Sequence, residues 1–335
     1  MNPDDLLRAL TRLARARTPQ ELFGHYPAAD PTYDPAYDPA DDDTGAADGH
    51  VYRLGAEIAR GDLATLYAAE RAGTDPVLLK VPRDPADSDL IDREAVALRQ
   101  LVADGDERFR PYAPTLVESF RHYDTATGAH RQINAIARLE GFHSLAEVRA
   151  AYPDGLDPRD VAWMWRRLLV ALGFAHRAMV VHGAVLPEHV LIHPEQHGLV
   201  LVDWCYSVPG CYAGVDPSRL VPAMIDRYAA WYPEEVPGRR PASPATDIHM
   251  ATLCMAHLLP DEVPRPLGRF IRGCTLADQR SRPYDAWGLL AELDEILETL
   301  YGPRRFRPFR FPQDLPQDFP QDFPQDAALK ENPHG

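Results

Sequence analysis

Residues 180–208, VVHGAVLPEHVLIHPEQHGLVLVDWCYSV, decide how the rest of the chain is read. Two apolar runs, HVLI at 189–192 and GLVLVD at 198–203, flank a polar turn from His193 to Gly198, which predicts an antiparallel hairpin. Asp203 ends the second apolar strand, and a loop carrying His182, Pro187, Glu188 and His189 leads into the first.

The segments around this hairpin are mainly helical. The clearest is PRDVAWMWRRLLVALGFAHRAM at 158–179, where Val161, Met164, Trp165, Leu168, Leu169 and Leu172 form one stripe. Before Gly141 the pattern is strand-rich. YRLGAEIARGDLATLYAAER and PVLLKVPR flank a turn at 73–76, and TLVESFRHYD and HRQINAIARLE flank TATG. Between these pairs, DSDLIDREAVALRQLVADG opens with Asp and Ser caps and has Leu90, Ile91, Val96, Ala97, Leu98 and Leu101 as its apolar set, which predicts one helix. The sequence therefore predicts an α+β chain with an antiparallel-sheet lobe over 51–141 and a mainly helical lobe over 142–302.

The flanks differ in composition. Residues 1–22 carry Leu6, Leu7, Leu10 and Leu13 at helical spacing and predict an amphipathic N-terminal helix. Residues 23–50 are rich in Asp, Pro and Ala and predict an acidic linker, because so few aliphatic groups do not offset the entropy of ordering. Residues 303–335 predict a disordered tail. RRFRPFR at 304–310 leads into four tandem copies, FPQD LPQD FPQD FPQD, whose regular prolines exclude a helix or a central strand.

One count stands out. Of 35 basic residues only Lys80 and Lys330 are lysine, and Lys330 lies in the tail. A compact ammonium kept where arginine is used everywhere else suggests a task that a guanidinium fork does not fit.

Taken together, these stretches resemble the protein kinase superfamily, of the bacterial Ser/Thr protein-kinase-like kind, over roughly Tyr52 to Leu300. IARGDLATLYAAE at 58–70 resembles the glycine-rich loop that covers nucleotide phosphates, with Gly61 kept and Ala59 and Ala64 in place of flanking glycines. VLLK at 77–80 looks like the strand lysine that holds the α- and β-phosphates, and Glu94 stands where its helix partner is expected. His182 matches the first residue of the catalytic loop H-R-D-L-x-x-x-N, and DWC at 203–205 resembles D-F-G. WYPEEV at 231–236 looks like the A-P-E segment with Glu234 as its acid. Asp247 matches a buried structural Asp, and Arg282 is the expected partner of Glu234.

The resemblance implies a bilobal protein-kinase-like fold that binds ATP with Mg²⁺. The implied nucleotide-binding set is Ala59, Gly61, Ala64, Lys80, Glu94, Leu139 and Asp203, with Asp203 and His189 at the metal positions. The departures fall on the chemistry. Gly183 replaces the loop arginine, which argues against switching by a phosphorylated activation segment. Ala184 replaces the catalytic Asp, and a positioned base is worth about 10²–10⁴ in rate. His189 replaces the metal-binding Asn and is a poorer ligand for a hard, oxygen-preferring ion. A pseudokinase acting as a regulatory or scaffolding module in signalling is the expectation.

Two alternatives stay open. One is an atypical Ser/Thr phosphotransferase in which another acid, Glu188 being nearest, compensates; there, restoring Asp at 184 should raise activity. The other is a nucleotide-independent interaction module. A local rival, a metal site on His189, His193 and His197, is opposed by Pro194 and the β-branched neighbours, which do not suit the helix that this spacing needs.

Composition narrows the remaining classes. A net charge of −15 opposes nucleic-acid binding and anionic-lipid partners. No apolar run reaches about 18 residues, so no membrane span is expected. The first residues lack the pattern of an export signal, and a cytoplasmic location is the expectation. Cys205, Cys211, Cys254 and Cys274 form no CxxC pair. A nucleotide and an unidentified protein partner or substrate remain as the expected ligands.

Overall fold

A computed structural model describes residues 51–71, 73, 75–124, 128–210 and 219–311. The expected N-terminal helix, the acidic linker and all but the first residue of the FPQD repeats lie outside them. The described residues divide into two compact units. One holds residues 51–99 and 114–140, and the other holds 100–113 and 141–311. Residues 100–113, which precede two strands of the first unit in sequence, thus group with the helical one.

The first unit is a five-stranded antiparallel sheet of order β1-β2-β3-β5-β4: β1 Tyr52–Arg60, β2 Ala64–Arg71, β3 Val77–Pro82, β4 Leu116–Asp124 and β5 Ala129–Ala137. Its core is built from Tyr52, Leu54, Tyr67, Val77, Leu79, Val81 and Ile133, with Phe120 stacked on Tyr52 at 5.6 Å. The register sets Lys80 of β3 between Leu66 of β2 and Asn134 of β5. Helix α1, Ser88–Asp104, follows β3.

The buried face of α1 differs from the apolar set read in the sequence. Val96 is 44% exposed, whereas Ile91, Glu94, Ala95, Leu98 and Leu101 are buried. Spacing of three and four residues selects 91, 94, 95 and 98 as one face, and Val96 falls off it. A charged residue at the centre of that face masks its period.

The second unit contains helices α2 Leu145–Ala151, α3 Pro158–Arg177, α4 Pro244–Leu258, α5 Arg265–Cys274 and α6 Ala286–Tyr301. Its sheets are small: β6 His143–Ser144 pairs with β8 Val190–His193, β8 pairs with β9 Gly198–Leu201, and β7 Val180–Val181 pairs with β10 Val208–Pro209. Helix α3 starts with Asp157, whose side chain accepts from the Arg159 N–H at 2.8 Å, and Pro158 supplies a preset first-turn φ. All six residues of its expected stripe are buried. The β8–β9 hairpin turns where the sequence places it, with His193 opposite Gly198. No helix of the described residues is long and apolar enough to cross a membrane.

The stretch after α6 departs from a solvated tail. Phe309 is 7% exposed and packs near Tyr152 and Trp163, at ring distances of 5.8 and 6.0 Å. Arg307 reaches Asp160 at 3.0 Å, Phe311 stacks on His143 at 3.9 Å, and the Tyr152 hydroxyl donates to the Arg310 carbonyl. Residues 304–311 therefore form a strap on the helical unit. The apolar content of RRFRPFR is low, and its one deeply buried ring finds partners about 150 residues away in sequence, which local composition does not reveal.

Candidate functional site

In the sheet unit, the expected pair forms. Lys80 Nζ lies 2.9 Å from Glu94 Oε1, and the two side chains are 8% and 1% exposed. The carboxylate has a second donor, because Asn134 Nδ2 contacts Glu94 Oε2 at 3.0 Å while also reaching the Ile91 carbonyl at 2.8 Å. Behind Asn134, its Oδ1 accepts from Ser119 Oγ at 2.7 Å, and Ser119 Oγ accepts from Gln132 Nε2 at 2.7 Å. Glu94 is thus fixed from two sides, as a buried charge requires. Asn134 was not legible as a site residue, since it sits inside the otherwise apolar run of β5; the register that places it opposite Lys80 is the signal.

Gly61 lies at the β1–β2 turn, where its N–H donates to the Ala64 carbonyl at 2.9 Å. Arg83 braces the turn through the Gly61 carbonyl at 3.2 Å. A Cβ at Gly61 would meet just that Ala64 oxygen, at 3.5 Å, so the turn itself does not demand glycine there. Ala59 is exposed on β1 opposite Leu66, Ala64 is buried at the start of β2, and Leu139 is half-buried after β5.

In the helical unit, the loop and the strand end meet. His189 Nε2 lies 3.0 Å from Asp203 Oδ2, and His189 Nδ1 lies 2.8 Å from the Ala184 carbonyl oxygen. Asp203 adopts φ 64° and ψ 61°, a left-handed conformation that Asp tolerates better than most residues. Trp204 beside it is buried, donates from Nε1 to the Leu201 carbonyl at 2.8 Å, and meets the His182 ring edge-on at 4.6 Å.

Asp247 holds the loop from beneath. Its Oδ2 accepts the His182 N–H at 2.8 Å and pairs with His176 Nε2 at 2.9 Å, and its Oδ1 accepts the Gly183 N–H at 2.8 Å. His182 is fully buried, and burial pulls its pKa down to about 4. Its contacts suit a neutral ring: Nε2 donates to the Val202 carbonyl at 2.9 Å and Nδ1 accepts the Ala184 N–H at 3.3 Å.

One expectation needs correction. Arg282 pairs with Glu235 rather than Glu234, its NH2 group lying 2.6 Å from both carboxylate oxygens with both side chains fully buried. Glu234 is exposed and lies 3.9 Å from Arg240. Of two adjacent glutamates, the one turned inward takes the buried guanidinium, and Thr246 Oγ1 adds a third contact to Glu235 at 2.9 Å. The sequence stretch PEE does not say which one turns inward. Glu188, the nearest other acid of the loop, pairs with Arg227.

The histidine series is not a ligand set. His193 ends β8 beside Phe142, and His197 sits in the turn at φ 53° with its ring stacked on Trp163 at 4.2 Å.

Of the two expected metal positions, Asp203 is the one whose chemistry suits magnesium. Asp203 is an oxygen ligand of the required type, but His189, at the other expected position, has both ring nitrogens engaged by protein oxygens.

No protein-family model matches the chain. A solved structure of vaccinia related kinase 3 superposes with a TM-score of 0.58 at 18% identity, covering 75% of this chain and 88% of that one. With a five-stranded antiparallel sheet unit carrying Lys80–Glu94 and a helical unit carrying the His182–His189 loop, the chain has a protein-kinase-like fold.

Proposed function

We propose that the chain is a nucleotide-binding, protein-kinase-like module of the pseudokinase type, acting by binding rather than by transfer to a protein hydroxyl. The observation that carries the binding half is the Lys80–Glu94 pair. A buried ion pair is often no more stabilising than apolar residues of the same volume, so its retention is poorly explained by stability. It also uses the one lysine of the described residues, held by a carboxylate that Asn134 and Lys80 both fix. An ammonium oriented in this way is suited to phosphate oxygens.

The second half rests on the loop. Ala184 accepts no proton, and the nearest alternative acid, Glu188, is engaged by Arg227. The general base that the family pattern places at 184 is therefore missing from this loop.

The test is isothermal titration of the full chain with ATP and ADP, wild type against Lys80→Met, with turnover followed in the same samples. Saturable binding to the wild type, weakened at least about tenfold in the variant, and no turnover is the expected result. Absence of binding to the folded wild type would leave an interaction module in its place. Steady phosphate release that depends on Lys80 would make the chain an enzyme.

A further inference from the structure

The helical unit carries a basic stripe that no acid of the unit neutralises. Arg265, Arg269 and Arg272 of α5 are exposed and recur at spacings of four and three, so they share one face of the helix. None of the three pairs with a carboxylate among the described residues. Arginines elsewhere in the unit do: Arg159 with Asp157, Arg166 with Asp294, Arg227 with Glu188 and Arg307 with Asp160. Like charges one turn apart destabilise a helix, which an anion laid over them relieves.

A cavity adjoins the stripe. It measures about 280 Å³, is formed by α5 and α6, and is lined by Phe270, Pro283, Leu289 and Ile296 together with Arg269 of the stripe. A cavity of about 150 Å³ accepts benzene, so this one has room for a phenyl side chain. Tyr284, next to Pro283, is 75% exposed, and Leu276, just beyond α5, is 43% exposed. Large apolar groups left in water beside an apolar cavity mark a surface made for contact. Glu292 is the one acid of the lining, against three arginines on the neighbouring helix.

The FPQD repeats have the complementary chemistry. In polyproline II, with three residues per turn, the Phe and Asp of one repeat stand on the same side about 9 Å apart. Phe319 lies between Asp318 and Asp322, and Phe323 between Asp322 and Asp326. Successive repeat aspartates are then about 12 Å apart, close to the roughly 10 Å that separates Arg265 from Arg272 along α5. The reach fits as well. The strap ends at Phe311 on this same unit, and residues 312–326 extend about 46 Å as polyproline II, against a unit about 40 Å across. The other acidic stretch of the chain, residues 23–50, leads into β1 of the sheet unit instead.

We propose that the FPQD repeats dock within their own chain on the α5–α6 face, with one repeat phenylalanine in the cavity and its flanking aspartates on Arg265, Arg269 and Arg272. The strap at 304–311 is then the first part of a longer tether. None of the residues read as nucleotide-binding lines this cavity, so the inference stands apart from that reading.

The test is fluorescence anisotropy of a labelled peptide of residues 318–326, DFPQDFPQD, titrated with three full-length proteins. They are the wild type, the variant Leu315→Ser/Phe319→Ser/Phe323→Ser, and that triple variant carrying Arg269→Glu as well. A tail bound within its own chain shields the site, so the triple variant is expected to bind the peptide at least about tenfold more tightly than wild type. Arg269 is exposed, so its replacement leaves the core intact, and it is expected to remove the binding. Equal binding to wild type and triple variant overturns occupancy by the tail. No binding to the triple variant, or binding that survives Arg269→Glu, overturns the site. Tighter binding of a peptide of residues 29–43 to the triple variant makes the N-terminal segment the occupant and overturns the assignment. Sedimentation of the wild type is expected to show a monomer, and a dimer that the triple substitution dissolves overturns docking within one chain.

Discussion

Ala184 is fully buried, its N–H faces His182 Nδ1, and its carbonyl accepts from His189. The position has therefore closed over the missing carboxylate as well as lost it. Gly183 beside it stands at φ 78°, and a Cβ there would lie 2.4 Å from the Tyr206 carbonyl oxygen, so the backbone no longer accommodates the arginine of the family pattern. An Asp at 184 would put a carboxylate into a fully buried position already closed by the His182 and His189 rings, and burying that charge costs stability. Ala184→Asp is thus expected to lower the urea midpoint and to leave phosphoryl transfer at background, against the gain that the sequence pattern alone suggests. A variant as stable as wild type that gains transfer would show that the loop had kept its room. The pattern H-R-D-L-x-x-x-N makes the losses legible at once, because each is a change of residue type at a numbered place. It does not reveal what the neighbours did afterwards, since backbone angle and side-chain closure depend on Tyr206, His189 and Asp247, which are distant in sequence.

At the scale of elements, the sequence is informative wherever one period dominates. The stripe of α3 and the apolar runs of β8 and β9 are local, and their apolar residues are all that burial needs to select. Legibility fails where burial is assigned to charge or to distant partners. Helix α1 hides its face because Glu94 sits in it, and Glu235 is chosen over Glu234 by an arginine 47 residues away. The strap at 304–311 is the plainest case, since composition marks it as tail while Phe309 is buried between Tyr152 and Trp163. Removing that ring leaves a cavity lined by aromatics, and Phe309→Ala is expected to cost about 3 kcal/mol. Phe306, 72% exposed, is the control, and its replacement by Ala is expected to stay within about 0.5 kcal/mol of wild type. Chemical unfolding of the two variants compares them directly. Equal stability for both would return residues 304–311 to the solvated tail.

At the scale of the whole molecule, the chain carries a net charge of −15, yet acid is expected to unfold it through a few histidines. His182, His249 and His257 all have pKa values drawn down to about 4. Burial is the main cause in each, and the charges of Arg282 near His249 and Arg149 near His257 act in the same direction. In the unfolded chain these rings titrate near 6.5, so between that value and about 4 the unfolded state binds more protons than the native one. Stability is therefore full above pH ~6.5 and falls as the pH drops towards ~4, with a slope set by the number of rings that stay neutral in the native fold. Urea unfolding in steps from pH 7.5 to 4.5 is expected to show a plateau followed by a steady loss. Replacing His257 by Gln removes one of the protons taken up and should make the fall shallower without moving the plateau's edge. His182 contributes by another route, because its neutral ring donates to Val202 and accepts from Ala184, and protonation breaks the second of these contacts. Acid should accordingly loosen the 182–189 loop along with the fold. Stability that is flat or rising between pH 6.5 and 4.5 would mean that these rings are charged in the native protein, which the buried contacts of His182 do not allow.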